Sequence, residues 1–120
     1  MYNQNNIPFE KGVNDMAIVD VTVIPIGTMT PSVSEYVAEI QKVLTNYKSQ
    51  GKIDFTLTPM STIIEGELPV LFEVIQAIHE VPFSKGIHRV ATNIRIDDRR
   101  DVKRHMADKI ESVQAKLKEK

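Results

Sequence analysis

Two carboxylates, Glu65 and Glu67, stand two apart in the run Ser61-Thr-Ile-Ile-Glu-Gly-Glu67. On a strand, residues at that spacing point the same way, so the pair could answer a cation or the amino group of a heterocycle. Each also has a purely structural reading, since carboxylates are favoured just before a helix. Nothing near them supplies a partner that would activate a substrate. His79 and His105 have no Asp, Glu or Cys at a spacing typical of metal sites, and read as surface or boundary histidines. The cluster Asp97-Asp98-Arg99-Arg100-Asp101 could hold a phosphate or pair across a subunit contact; a solvated, capped helix start accounts for it equally well. The chain has no cysteine nucleophile, nucleophile-elbow serine, phosphate-binding glycine loop, paired zinc-ligand helix motif or dinucleotide fingerprint. These side chains suit holding a ligand without metal or cofactor. An enzyme is not expected.

The elements that must position them are legible from periodicity. Val19, Val21 and Val23 alternate with Asp20 and Thr22 in a first strand over Ala17 to Ile26, ended by Gly27-Thr28. Ser32-Val33-Ser34-Glu35 reads as a capping box. It is followed by the helical stripe Val33, Val37, Ile40, Leu44, Tyr47, with Gly51 closing the helix. Ile53, Phe55 and Leu57 mark a second strand, Pro59-Met60 a tight connection, and Ser61 to Gly66 a third strand. Pro69 suits a first helical turn. Val70, Leu71, Val74, Ile75 and Ile78 give that helix its apolar face, and it stops before Pro82 or frays to Gly86. Ile87 to Asp97 is a fourth strand, with Val90, Thr92, Ile94 and Ile96 on one side. Asp97 or Asp98 can cap a last helix carrying Val102, Met106, Ile110, Val113 and Leu117.

The order βαββαβ plus a C-terminal helix, with right-handed crossovers, predicts an α+β ferredoxin-like sandwich. Its sheet is antiparallel in order 4-1-3-2, with two helices on one face. The other face mixes apolar, hydroxyl and charged residues and calls for a covering partner, most economically a second copy of the chain. Strands one and three are expected to run parallel and to bring their C-terminal ends together beside two helix N-termini. That would gather Thr28, Ser34, Glu65, Glu67, His88 and Arg89 into one neighbourhood able to hold an anion.

Composition narrows the partners. With 15 basic and 16 acidic residues the formal charge is -1, so nothing favours nucleic acid or anionic lipid. No apolar run approaches the roughly 18 residues of a membrane span. The lack of cysteine fits a reducing cytoplasm. Residues 1–15 have neither apolar periodicity nor a signal-peptide pattern. They are expected to be a flexible extension, or else a short arm on a neighbouring subunit, with residues 16–120 forming the domain and Met16 a possible alternative start.

Three runs taken together resemble the small thiamine-binding protein family, formerly an uncharacterised conserved family: Gly27 to Glu39, Pro59 to Glu67 and Arg89 to Asp101. The similarity extends from about Met16 to the C-terminus. Ser61 departs from it, standing where many relatives carry glycine. The resemblance implies a homotetramer built by strand-edge and sheet-face contacts. It also implies binding of thiamine or its hydroxymethylpyrimidine portion without turnover. Carried over position by position, its recurrent polar residues fall on Thr28, Ser34, Thr62, Glu65, Arg89 and Thr92. For such a ligand, Glu65 would offset the thiazolium charge, and Thr28, Ser34 and Thr62 would hydrogen-bond. Met60 would form a polarisable wall, and Tyr36 or Phe55 would stack. A regulatory module of the ACT-like sort, binding another metabolite, shares the fold and is the alternative. RNA binding is disfavoured: neither central strand carries an aromatic residue for base stacking.

Overall fold

The structure, a computed structural model, describes residues 16–101 and 106–118, the side chains of residues 106–109 excepted. Alternation in Met16–Ile26 gives strand β1, whose Ala17, Val19 and Val21 are buried against the helices. The chain then turns at Gly27, which takes the left-handed φ of +85°. Helix α1 spans Ser34–Ser49 and seats Ile40 and Leu44 in the core. Its end is a Schellman motif: the Gly51 N–H donates to the Lys48 carbonyl and the Lys52 N–H to the Tyr47 carbonyl, with Gly51 at φ +74°. The start differs from expectation. Val33 occupies the N-cap with no side-chain hydrogen bond, and the Ser32 and Ser34 hydroxyls lie 3.3 Å from each other instead of capping backbone.

Strands β2 (Ile53–Leu57) and β3 (Thr62–Glu67) form a hairpin through Thr58-Pro-Met-Ser61. The Thr58 N–H donates to the Ser61 carbonyl at 2.8 Å, and Pro59 supplies the fixed φ of a turn's second residue. Helix α2 (Leu68–His79) carries Pro69 in its first turn and buries Leu71, Val74, Ile75 and Ile78. The helix stops before Pro82, one of the two outcomes expected, and instead of fraying toward Gly86 the chain forms a separate short helix α3 (Val81–Ser84), with Pro82 in its own first turn and buried. Strand β4 (Arg89–Asp97) begins two residues later than its apolar pattern suggests. Helix α4 spans Met106–Lys118. The expected extension over residues 1–15, His105, and the expected capped start of the last helix across 102–105 lie outside the described residues. Asp98 is paired with Arg100 at 2.7 Å.

The four strands make one antiparallel sheet in the order β2-β3-β1-β4, the predicted order read from the other edge. Val19, Leu44, Ile64, Leu71 and Val74 are completely buried between sheet and helices. One expectation is overturned. β1 and β3 are antiparallel, with Met16 opposite Glu67 and Val21 opposite Thr62. In this topology β2 runs parallel to β1 and β3 returns against both. The C-terminal ends of β1 and β3 are therefore at opposite ends of the sheet. No helix among the described residues is long and apolar enough to cross a membrane.

Candidate functional site

A mismatch in strand length creates a cavity beside the end of β1. β1 has 11 residues and β3 only 6, and their pairing stops at Val21 opposite Thr62. Beyond that point β1 pairs with β4 alone, as far as Ile26 opposite Arg89. The 58–61 turn leaves the sheet there, so β1 becomes an edge strand over its last residues. Pro25 confirms the change of status, because a proline without an N–H is tolerated in a strand chiefly where no neighbour needs that donor.

The resulting notch is a cavity of about 400 Å3. Its walls are β1 residues 21–25 and the 57–62 hairpin tip, and its remaining lining is Val33, Val37, Ile40 and Gln41 of the α1 region with Ile78 of α2. The lining is mostly apolar with a few polar groups. The Gln41 amide N–H donates to the Thr62 hydroxyl at 3.4 Å, and the Thr22 hydroxyl to the Met60 carbonyl at 3.4 Å. The Thr58 hydroxyl is occupied within the turn, donating to the Ser61 carbonyl at 2.8 Å and accepting from the Ser61 N–H at 3.0 Å. None of the described residues lining the cavity carries a formal charge, and none is aromatic.

Of the residues singled out from sequence, Met60 and Thr62 line this cavity; Met60 is 85% exposed at its rim and Thr62 is buried. Thr28 and Ser34 lie in the loop and first turn just beyond it, and the Thr28 hydroxyl donates to the Thr30 carbonyl at 2.6 Å. Arg89 is exposed at the same end of the sheet, opposite Ile26. Thr92 faces the helices, its hydroxyl 2.7 Å from His79 Nδ1. His79 thus has a specific partner, and its ring also lies 5.6 Å from that of Phe83.

Glu65 and Glu67 do not join the others. Glu65 sits opposite Ile18, eight β1 residues from Ile26, which at about 3.3 Å per residue is about 26 Å along the strand. Glu65 is also on the opposite face from Thr62, since odd and even positions of β3 alternate, and it is buried there. The neighbourhood expected to unite Glu65 and Glu67 with Thr28, Ser34, His88 and Arg89 is therefore two separate places. The stacking expectation is also corrected. Tyr36 and Phe55 are both outside the cavity lining, and Phe55 packs on the core with Lys48 Nζ 5.7 Å from its ring centre.

Gln41 was missed, although the sequence carried a signal for it. It stands four after Val37 and three before Leu44, which puts a polar amide beside the apolar stripe of α1. Pro25 was the matching signal for the unpaired end of β1.

Comparison with known proteins bears on this arrangement. The family model described as thiamine-binding protein matches residues 19–114. The UPF0045 protein YqgV of Bacillus subtilis is 69% identical over 102 residues, which cover 85% of this chain and 98% of that protein. Among solved structures, the hypothetical protein MJ1052 of Methanocaldococcus jannascii matches with a TM-score of 0.74 and 24% identity, covering 83% of this chain and 97% of its own. A Thermotoga maritima protein provisionally assigned to thiamine biosynthesis or salvage matches at a TM-score of 0.67 and 13% identity, over 82% of this chain and 98% of its own. Both structures share the fold.

Proposed function

The chain belongs to the thiamine-binding protein family, and from that premise we propose that it binds thiamine or its hydroxymethylpyrimidine portion without turning it over. The observation that carries this reading is the notch between β1 and the β2–β3 hairpin. It has the size of a small-molecule site, and its apolar walls are interrupted by a few hydrogen-bonding groups that could orient a heterocycle. Gln41 and Thr62 stand together there, one an amide with both donor and acceptor, the other a buried hydroxyl. Thr28, Ser34 and Arg89, at the same end, are placed to meet whatever part of a ligand projects from the notch. Glu65 is too far away to balance a thiazolium held there.

The same reading includes self-association, as a tetramer. Support comes from apolar side chains left in contact with solvent: Ile94 and Ile96 on β4, and Ile110, Val113 and Leu117 of α4, the last three all more than half exposed. Their burial between copies would remove this surface from water.

Calorimetric titration with thiamine and with hydroxymethylpyrimidine tests the binding. Saturable heat with either ligand is the expected result, and silence from both at millimolar concentration rejects it. Sedimentation at micromolar protein tests the assembly, which a well-behaved monomer would rule out.

A further inference from the structure

The chain has no cysteine, so thioethers are its only sulfur groups. Among the described residues, the two most exposed large apolar side chains are both methionines, Met29 at 98% and Met60 at 85%. Met29 lies in the loop after β1. Met60 stands at the tip of the β2–β3 hairpin, where it lines the cavity. Met16, at the opposite end of β1, is half-buried. The position of Met60 is held by its backbone. Its N–H donates to the Thr58 hydroxyl at 3.3 Å, and its carbonyl accepts from the Thr22 hydroxyl at 3.4 Å. Tied on both sides, the residue keeps its thioether in water at the rim, although exposing apolar surface is unfavourable.

An exposed thioether reacts with hydrogen peroxide without first losing a proton. The sulfur lone pair attacks one peroxide oxygen, and the O–O bond breaks as the S–O bond forms. The proton of the attacked oxygen passes to the departing oxygen, which leaves as water. Sulfur is oxidised by two electrons and the peroxide is reduced. The product is a polar sulfoxide in place of a flexible apolar group, and enzymes that reduce it restore the thioether. A ligand entering the cavity would strip water from the new oxygen. The nearby hydroxyls do not replace that water, because Thr58 already donates to the Ser61 carbonyl and Thr22 to the Met60 carbonyl.

We propose that the Met60 thioether is a modification site, oxidised reversibly to the sulfoxide by peroxides, and that this oxidation lowers the affinity of the cavity for its ligand. The loss of affinity rests on the proposed thiamine-class binding. The order in which the methionines oxidise does not; it follows from their exposure alone.

The test treats the full chain with dilute hydrogen peroxide and follows Met16, Met29 and Met60 by peptide mass spectrometry. Once the peroxide is removed, the protein is titrated calorimetrically with thiamine and with hydroxymethylpyrimidine. Met60 is expected to gain oxygen about tenfold faster than Met16. Affinity for whichever probe binds should fall about fivefold as it does so. Methionine sulfoxide reductase should restore that affinity. Met60→Leu, whatever its own starting affinity, should show no loss on treatment, whereas Met29→Leu should lose as the wild type does. Oxidation of Met60 no faster than that of Met16 overturns the inference. So does unchanged binding by protein carrying the Met60 sulfoxide, a loss that the reductase does not reverse, or an equal loss in a folded Met60→Leu. Each of these leaves the thiamine-class reading standing. Failure of the untreated protein to bind either probe overturns that reading and the inference together. Reversal by the reductase is read on the wild type, so it decides even if a substitution prevents folding.

Discussion

The two faces of the sheet are made from alternate residues of the same strands, yet they do different work. On the helix side, Val19 and Ile64 stand opposite each other and are fully buried with Leu44 and Leu71. On the other side, Asp20 pairs with Arg95 across β1 and β4 at 3.0 Å, flanked by half-buried Ile18 and Ile63. Apolar closure against helices holds the first face, whereas the second mixes ion pairs with isolated aliphatic groups. The lesson is that one step along a strand decides whether a residue serves the core or meets solvent and partners. Thr62 and Glu65, three apart, fall on opposite sides for this reason, and only Thr62 reaches the cavity.

Substitutions on the two faces should therefore differ sharply in cost. Leu44→Ala removes a completely buried side chain from between α1 and the sheet, and should destabilise the fold by about 2–5 kcal/mol in chemical denaturation. A loss below 1 kcal/mol would mean that the helix layer is not holding this face. Gly66→Ala sharpens the same point from the opposite direction. A Cβ there would lie 3.2 Å from both Ile53 Cγ2 and the Lys52 carbonyl oxygen, where helix-side packing leaves no room. The expected cost is about 1–3 kcal/mol by overpacking, read as a lower denaturation midpoint.

Arg95→Ala, on the open face, should change stability by less than about 1 kcal/mol, because its side chain is 83% exposed and solvent screens the pair with Asp20. A loss as large as that of Leu44→Ala would break the comparison. The smallest effect concerns pH. The hydrogen bond from Lys48 holds the Asp54 carboxyl below its usual range, aided by the Phe55 N–H and opposed by partial desolvation. A depressed folded-state pKa stabilises above the unfolded value and ceases to do so as pH falls through the folded one. Both partners are 55% exposed, so acid denaturation of Lys48→Met should differ from the wild type by only about a few tenths of a kcal/mol between pH 5 and 3.

Much of the molecule was legible before any coordinates. Period-two runs marked β1, β2 and β4, the stripe at Val37, Ile40 and Leu44 marked α1, and Gly51 marked its end. Met60 and Thr62 were placed in the candidate site from residue type and family resemblance, and they do line the cavity. The capping box failed because its short-range pattern competes with the loop that begins at Gly27, where Ser32 and Ser34 turn toward each other. Grouping Glu65 and Glu67 with Thr28 and Arg89 failed for a larger reason. It took strands one and three as parallel, whereas neighbours in the antiparallel order 4-1-3-2 run in opposite directions, as these two do.

The amino-acid sequence alone determined what was local: element type, element order, and which residues of each strand share a face, since these follow from backbone periodicity within a few residues. Only the tertiary structure decided what was distant. The register in which β1 meets its neighbours and the five-residue excess of β1 over β3 opened a neutral notch beside Gln41. Register and overhang arise from how separate segments meet, and neither leaves a periodic trace in either segment by itself.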